Sequence, residues 1–356
     1  CDAGVGVKVL FHQLYTPPTK IMILGAACSI VSETIARAAH HWNLVQVSYT
    51  STSPALSDKT QFPKFARVSA PEVVMNPTRV QFLQYFGWSR IATIHQLHPL
   101  FAATTEDLIE RLRGVNFTIV RSEIFQENPT AQVRNLKEND CRIIVGAFYE
   151  DKARKVFCEA YKIGLYGRGV VWILNGWYGA EWWKEDDPSI DCTPEQLAEA
   201  LEGYFGAAVN FLNPYPERSV SGWLPSEFVT EYEARVGWAS LPGDHVAPLG
   251  FDAVWAIALA LNNTMQKLEE MGSSKRLEDF TYEDKEMSDL IFDSLLNVSF
   301  MGVRGPISLD KNGDPIGFVR LDRMQGGKIT TVGNFNPTKV GADRLEWSRQ
   351  HSVVWE

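Results

Sequence analysis

Two patterns of apolar positions alternate along the first two hundred residues. Short runs rich in Val, Ile and Leu, at residues 21–27, 44–49, 90–96, 117–125, 141–149, 170–175 and 204–210, are bounded by turn-forming or polar residues and predict strands. Between them, apolar residues recur at three- and four-residue intervals in 32–43, 76–88, 104–114, 131–140 and 151–164, which predicts amphipathic helices. Strand–helix alternation of this kind implies parallel sheets covered by helices on both faces. At 356 residues the chain is long enough for two such doubly wound lobes. The last third reads differently: long helices over 248–271 and 285–298, then a meander in which Asn312-Gly313 and Gly326-Gly327 mark β-turns.

Composition narrows the class. With 45% hydrophobic and 22% charged residues the chain is globular rather than disordered. A net charge of −9, with no Lys/Arg cluster interleaved with aromatics, excludes a nucleic-acid face. No run approaches the roughly 18 apolar residues that span a bilayer, and no charged-then-apolar leader opens the sequence. The five cysteines (Cys1, Cys28, Cys141, Cys158, Cys192) match no zinc spacing, so no metal site is expected. Two disulfides and one free thiol is the preferred arithmetic, with Cys141, opening an apolar strand, as the buried free thiol. Sequons at Asn116, Asn262 and Asn297 add to the expectation of an extracellular chain.

In open parallel sheets ligands bind beyond the carboxyl ends of the strands, where loops converge and helix N-termini point inward. Beyond the first strand stand Cys28-Ser29, and beyond the second the hydroxyl run Ser48 to Ser53. The strand at 141–149 ends in Tyr149-Glu150, and that at 170–175 is followed by Trp177-Tyr178. Singly these are helix caps, a polar turn and core plugs. Together they suit a small zwitterion, with hydroxyls and helix N–H groups for a carboxylate and aromatic faces for an aliphatic chain or a cation. No HExxH, GxSxG or GxxxxGK[ST] motif occurs, and Asp310 to Asp314 (DKNGD) lacks the further acids of a calcium loop. Neither an enzyme nor a cofactor is expected.

The stretches CSIVSETIARAAHHWNLVQVSYTSTSPALS, NPTRVQFLQYFGWSRIATI, RIIVGAFYEDKARKVFCEAY, NGWYGAEWW and APLGFDAVWAIALALN resemble the extracellular ligand-binding domain of class C G-protein-coupled receptors. Among these the resemblance is strongest to the GABA-binding subunit of GABA-B receptors, and it runs from Cys1 to about residue 355. It implies a bilobed, type I periplasmic-binding-protein (Venus flytrap) fold whose lobe one lacks the family's first strand and helix. It also implies disulfides Cys1–Cys28 and Cys158–Cys192. Lobe one is then expected at 1–70 and 206–298, lobe two at 71–205 and 299–345, and a linker toward a membrane domain at 346–356.

Carried over by position, Ser29 and Thr52 correspond to hydroxyls that hold a ligand carboxylate, and Tyr149 and Trp177 to lobe-two residues that close over it. The family's cleft His and its acidic residue fall on Ser69 and Val246, neither of which carries charge; Asp244 and His245 lie just before the latter. The resemblance further implies lobe closure that signals to a G protein through a membrane domain. It also implies a heterodimer partner on the segment containing Phe11, Leu14 and Tyr15, whose other reading is core packing. A ligand-silent partner subunit and a soluble periplasmic-type amino-acid-binding protein are the alternatives.

Overall fold

The computed structural model describes residues 1–179, 181–237, 241, 243–337 and 339–348. The chain forms two compact units, each assembled from separate segments: Cys1–Pro71 with Asn210–Gly317, and Glu72–Val209 with the chain from Phe318 onward.

In the first unit, strands Met22–Leu24, Val45–Ser48 and Phe65–Arg67 form a parallel sheet in that order. Helices Ala3–Tyr15, Ser29–Ala39, Ala247–Glu270 and Lys285–Leu296 supply its core, in which Leu10, Leu14, Ile35, Val45, Val47, Ala256 and Ile291 are buried together. The segment Asp244–Glu270, which contains the helix Ala247–Glu270, is long enough to cross a membrane and includes an 18-residue window of mean hydropathy 1.3. Its apolar stripe of Leu249, Ala253, Ala256 and Ala260 is instead buried in the unit, as expected of an amphipathic core helix.

The second unit holds an eight-stranded sheet. Its order is Leu345–Trp347, Lys328–Phe335, Val319–Gln325, Phe205–Val209, Val171–Asn175, Ile143–Ala147, Arg90–Gln96 and Thr118–Phe125. The last five strands are parallel and the first three antiparallel to their neighbours. All seven strands expected in the first two hundred residues are present, and so are the helices expected between them. The α/β class with parallel-dominated sheets is therefore as anticipated.

Three expectations are corrected. The C-terminal meander is two separate structures. Ser299–Gly302 pairs with Gly305–Ser308 inside the first unit, whereas Val319–Gln325 and Lys328–Phe335 join the large sheet, so the return to the second unit falls after Gly317 rather than at 299. The earlier crossings fall after Pro71 and Val209, the second of them after a complete strand rather than within it. The linker expected at 346–356 begins inside a strand, because Glu346 and Trp347 pair with Asn334 and Gly333; residues 349–356 lie outside the described residues.

Leu14 is 6% exposed and belongs to the core with Leu10, so it is no interface residue, while Phe11 and Tyr15, 40% and 75% exposed, face outward. The four residues thus straddle two faces of one helix. Asp310 to Asp314 is a turn, with Gly313 at φ +65° and Asp310 Oδ1 accepting from the backbone N–H groups of Asn312 and Asp314.

The disulfides are Cys1–Cys28 and Cys158–Cys192, and Cys141 is free and buried. Cys158, Asp191 and Cys192 form the one compact group of potential metal ligands among the described residues, but both sulfurs are consumed by the disulfide. Asn116 and Asn297 are exposed. Asn262 lies within a helix, and the Thr264 hydroxyl of its sequon is buried, donating to Ala260 O at 2.8 Å.

Candidate functional site

The hydroxyl run of the first unit divides into stitching and display. Ser48 Oγ donates to Ala26 O (2.7 Å) and Thr50 Oγ1 to Ala27 O (3.1 Å), and the single proton of Ser51 Oγ is within reach of Ser32 Oγ (2.8 Å) and Ala27 O (3.0 Å). These bonds fasten the turn after one strand to the turn after its parallel neighbour, satisfying carbonyls that no ladder reaches. Beneath them lies Arg67, fully buried, which donates through Nη1 to Ser51 O and Ser53 O (both 2.8 Å), through Nη2 to Ser57 Oγ (2.8 Å) and through Nε to Asp314 (2.6 Å). One planar guanidinium thereby fixes the backbone on both sides of Thr52.

Ser29 and Thr52 are brought together. Ser29 Oγ accepts from the backbone N–H groups of Thr52 and Ser53, each at 3.1 Å. A hydroxyl has two acceptor lone pairs and one proton; with both lone pairs used, the Ser29 proton remains to be donated. Ser29 also opens the helix Ser29–Ala39, whose N-terminal end has no side-chain cap. Unsatisfied N–H groups and the positive end of the helix dipole favour an anion at such a place. Thr52 is half-buried, and among the described residues its hydroxyl makes no hydrogen bond.

The two expected amine-binding positions offer no counter-charge. Ser69 is buried beyond the third strand, and Val246 is half-buried directly before the helix Ala247–Glu270. No hydrogen bond among the described residues joins either to Ser29 or Thr52. The Asp244 carboxylate accepts from Tyr232 OH (2.9 Å) and Leu241 N (2.6 Å). The His245 ring lies 5.5 Å from that of Phe211.

In the second unit Tyr149 and Trp177 are also brought together, with ring centroids 5.8 Å apart at 63°. Tyr149 begins the helix Glu150–Ile163 and packs edge-on against Phe101 (4.9 Å) and His98 (5.4 Å), and its N–H donates to Gln96 Oε1 (3.2 Å). Burial, with the Glu72 carboxylate nearby, pushes its phenol up to about 12, so it stays an O–H donor at neutral pH.

Trp177 Nε1 donates to Glu72 Oε2 at 3.1 Å. With the Asn175 amide turned to donate to Gly146 O, Asn175 accepts from the same indole at 3.2 Å. Glu72 is fully buried against Arg79 (3.4 Å), which in turn donates to Asn76 Oδ1 (2.8 Å). Burial raises the Glu72 carboxyl above the ordinary range, opposed by Arg79 and by the Trp177 donor. The indole is thus held in place by a buried polar chain. At the turn behind it, a Cβ on Gly176 would lie 2.9 Å from the Ala207 carbonyl carbon, so only glycine fits.

Sequence reasoning missed Arg67, Glu72 and the His98–Phe101 wall. The wall was accessible: Leu97-His98-Pro99 follows the strand Arg90–Gln96 at the same sheet edge as Tyr149 and Trp177. Arg67 and Glu72 gave no signal, because a lone charged residue near a short strand reads as solvent-facing.

The sequence matches a family described as the receptor family ligand binding region over residues 1–325. It is 42% identical over 351 residues to gamma-aminobutyric acid type B receptor subunit 1 of Mus musculus, covering 98% of this chain and 36% of that protein. It is 38% identical to subunit 1 of Caenorhabditis elegans (98% and 38% covered) and 32% identical to subunit 2 of Homo sapiens (97% and 36% covered). The chain therefore spans little more than a third of the length of these relatives.

Proposed function

The chain belongs to the family of receptor ligand-binding regions, and on that premise we propose that it is the ectodomain of a GABA-B-type metabotropic receptor subunit that binds a small amino acid. The observation that carries the reading is the Ser29 hydroxyl: its two lone pairs are taken by the N–H groups of Thr52 and Ser53, so it offers a proton beside an uncapped helix N-terminus. A carboxylate is the group such donors suit. Thr52 adds a second hydroxyl, and Tyr149 and Trp177 supply a phenol donor and an indole face from the other unit.

In this reading the first unit captures the carboxylate, and the second makes its contacts only on closure. Contacts made in one state alone are what can shift an open-to-closed equilibrium. The signal then passes to a membrane domain and its G protein outside this chain, on the extracellular side of a plasma membrane, with a second receptor subunit packed on the face bearing Phe11 and Tyr15.

The amine end sets how well GABA itself is held. A charge-assisted hydrogen bond contributes about 1.5–3 kcal/mol, so neutral Ser69 and Val246 weaken GABA by about tenfold to a hundredfold relative to a site with a carboxylate there. Trp177 offsets part of this by cation–π attraction. The same two residues favour a second reading, a ligand-silent partner subunit of a heterodimer.

Isothermal titration of the chain with GABA and a panel of amino acids, on wild type and Ser29→Ala, separates the readings. Saturable heat that weakens at least tenfold in the variant supports carboxylate capture. Heat unchanged by the variant removes Ser29 from the site, and no heat for any compound favours the silent partner.

A further inference from the structure

The second unit contains a cavity of about 450 Å³ that lies at the opposite edge of its sheet from Tyr149 and Trp177. Ile143 and Val171, the first residues of two parallel strands, are among its lining; Tyr149 and Trp177 follow the far ends of those strands. A five-residue strand separates the two places by roughly 16 Å. The volume falls within the range of small-molecule sites, about 300–1,000 Å³.

The walls carry two aromatic rings, two guanidiniums and two carboxylates. Trp88 and Tyr166 are the aromatic residues of the lining. The two carboxylates keep their charge but are turned onto neutral donors of the protein. Glu199 accepts from Tyr166 OH (2.8 Å), and Glu202 accepts from the backbone N–H groups of Gly326 (2.8 Å) and Gly327 (3.2 Å). Arg168 is different: it is exposed, lines the cavity, and among the described residues makes no hydrogen bond or ion pair.

The turn that carries Arg168 is built for display. Val170 N donates to Gly167 O at 3.0 Å, and Gly169 sits at φ +82°, a conformation that side-chain-bearing residues rarely adopt. Arg168 is thereby held at the one corner of the turn that tolerates a long side chain. A second guanidinium, Arg323, lies in the same wall, over the Phe205 ring at 5.3 Å.

We propose that this cavity is a second binding site, for a small amphipathic monocarboxylate of the aromatic or branched aliphatic kind, whose acid group pairs with Arg168 while its apolar part lies on Ile143 and Val171 between Trp88 and Tyr166. Arginine suits such an acid because its planar fork matches a carboxylate in two parallel bonds. The site is separate from the Ser29 site and does not depend on the function proposed for it.

The test is a titration of the whole chain with indole-3-acetate as probe, read by calorimetry and by saturation-transfer NMR, beside its neutral analogue indole-3-acetamide. Arg168→Ala, at an exposed turn, is not expected to disturb folding. The expected result is saturable binding of the carboxylate to wild type, at least tenfold weaker binding in Arg168→Ala, an equal loss for the amide on wild type, and no change in Ser29→Ala. Absence of saturable binding to wild type, or binding indifferent to Arg168→Ala, overturns the proposal. So does binding that Ser29→Ala abolishes, because the probe would then occupy the other site.

Discussion

Replacing Arg67 tests how the first unit holds Thr52 in place. Its guanidinium makes four bonds at once, to Ser51 O, Ser53 O, Ser57 Oγ and Asp314, in a fully buried position. Arg67→Lys keeps the charge beside Asp314 but cannot reach the two carbonyls and the hydroxyl with one flexible ammonium. At about 1 kcal/mol for each lost bond the expected destabilisation is roughly 2–3 kcal/mol. Arg67→Met also leaves the Asp314 carboxylate, 7% exposed, without its partner. Breaking a buried pair from one side costs about 3–5 kcal/mol, and adding Asp314→Asn to Arg67→Met recovers part of it.

Urea unfolding followed by tryptophan fluorescence and native-state hydrogen exchange measures these changes, the latter localising them to the segment around Ser51 to Ser57. Ligand affinity falls with both variants, because the backbone on either side of Thr52 loses its anchor. If Arg67→Met stays within about 1 kcal/mol of wild type, the range of an ordinary surface change, the network does not hold the loop and the reasoning fails.

Other tests are narrower. Thr52→Val removes a hydroxyl that has no hydrogen-bond partner among the described residues, so stability stays within about 1 kcal/mol while calorimetric affinity for the carboxylate ligand drops; a large fall in melting temperature would show the hydroxyl to be structural. Leu14→Ala destabilises the chain by about 2–5 kcal/mol in denaturant titrations. Phe11→Asp leaves folding intact but weakens association with a second subunit in analytical ultracentrifugation. Asp252, buried against the turn at Val303 and Arg304, has its carboxyl pushed up to about 6 by burial. Between about pH 4 and 6 the folded state therefore binds more protons than the unfolded one, and stability contributed by this group falls as pH rises through that window, by at most about 3 kcal/mol. Comparing wild type with Asp252→Asn across the window isolates that slope.

The strands and helices of the first two hundred residues were legible because each buries one apolar face, and the period of that face survives in the sequence. The crossings between units were not, since a strand-period pattern reads alike in the hairpin Ser299–Gly302/Gly305–Ser308 and in Val319–Gln325. Phe65–Arg67 escaped because its three residues include an arginine and no β-branched residue, whereas the equally short Met22–Leu24 lies in a longer apolar run. The helix Pro194–Leu201 could have been found: Thr193 and Gln196 form a capping box around a proline at the first turn. In the first unit Ser29 and Thr52, and in the second Tyr149 and Trp177, were marked by their places after strands. What holds them was not, because which of Ser48, Thr50, Ser51 and Thr52 faces inward depends on carbonyls contributed by another turn.

The interleaving of segments has a consequence for synthesis. The sheet strands that open the chain share their core with helices from Ala247 to Leu296, so they must wait for more than two hundred further residues to leave the ribosome before they can be fully covered. Contacts so distant in sequence close slowly, and until they do Val45 and Val47 are covered only by the helices Ala3–Tyr15 and Ser29–Ala39. The first unit can therefore complete its core only after Leu296 has been made, and its folding is paced by those late contacts.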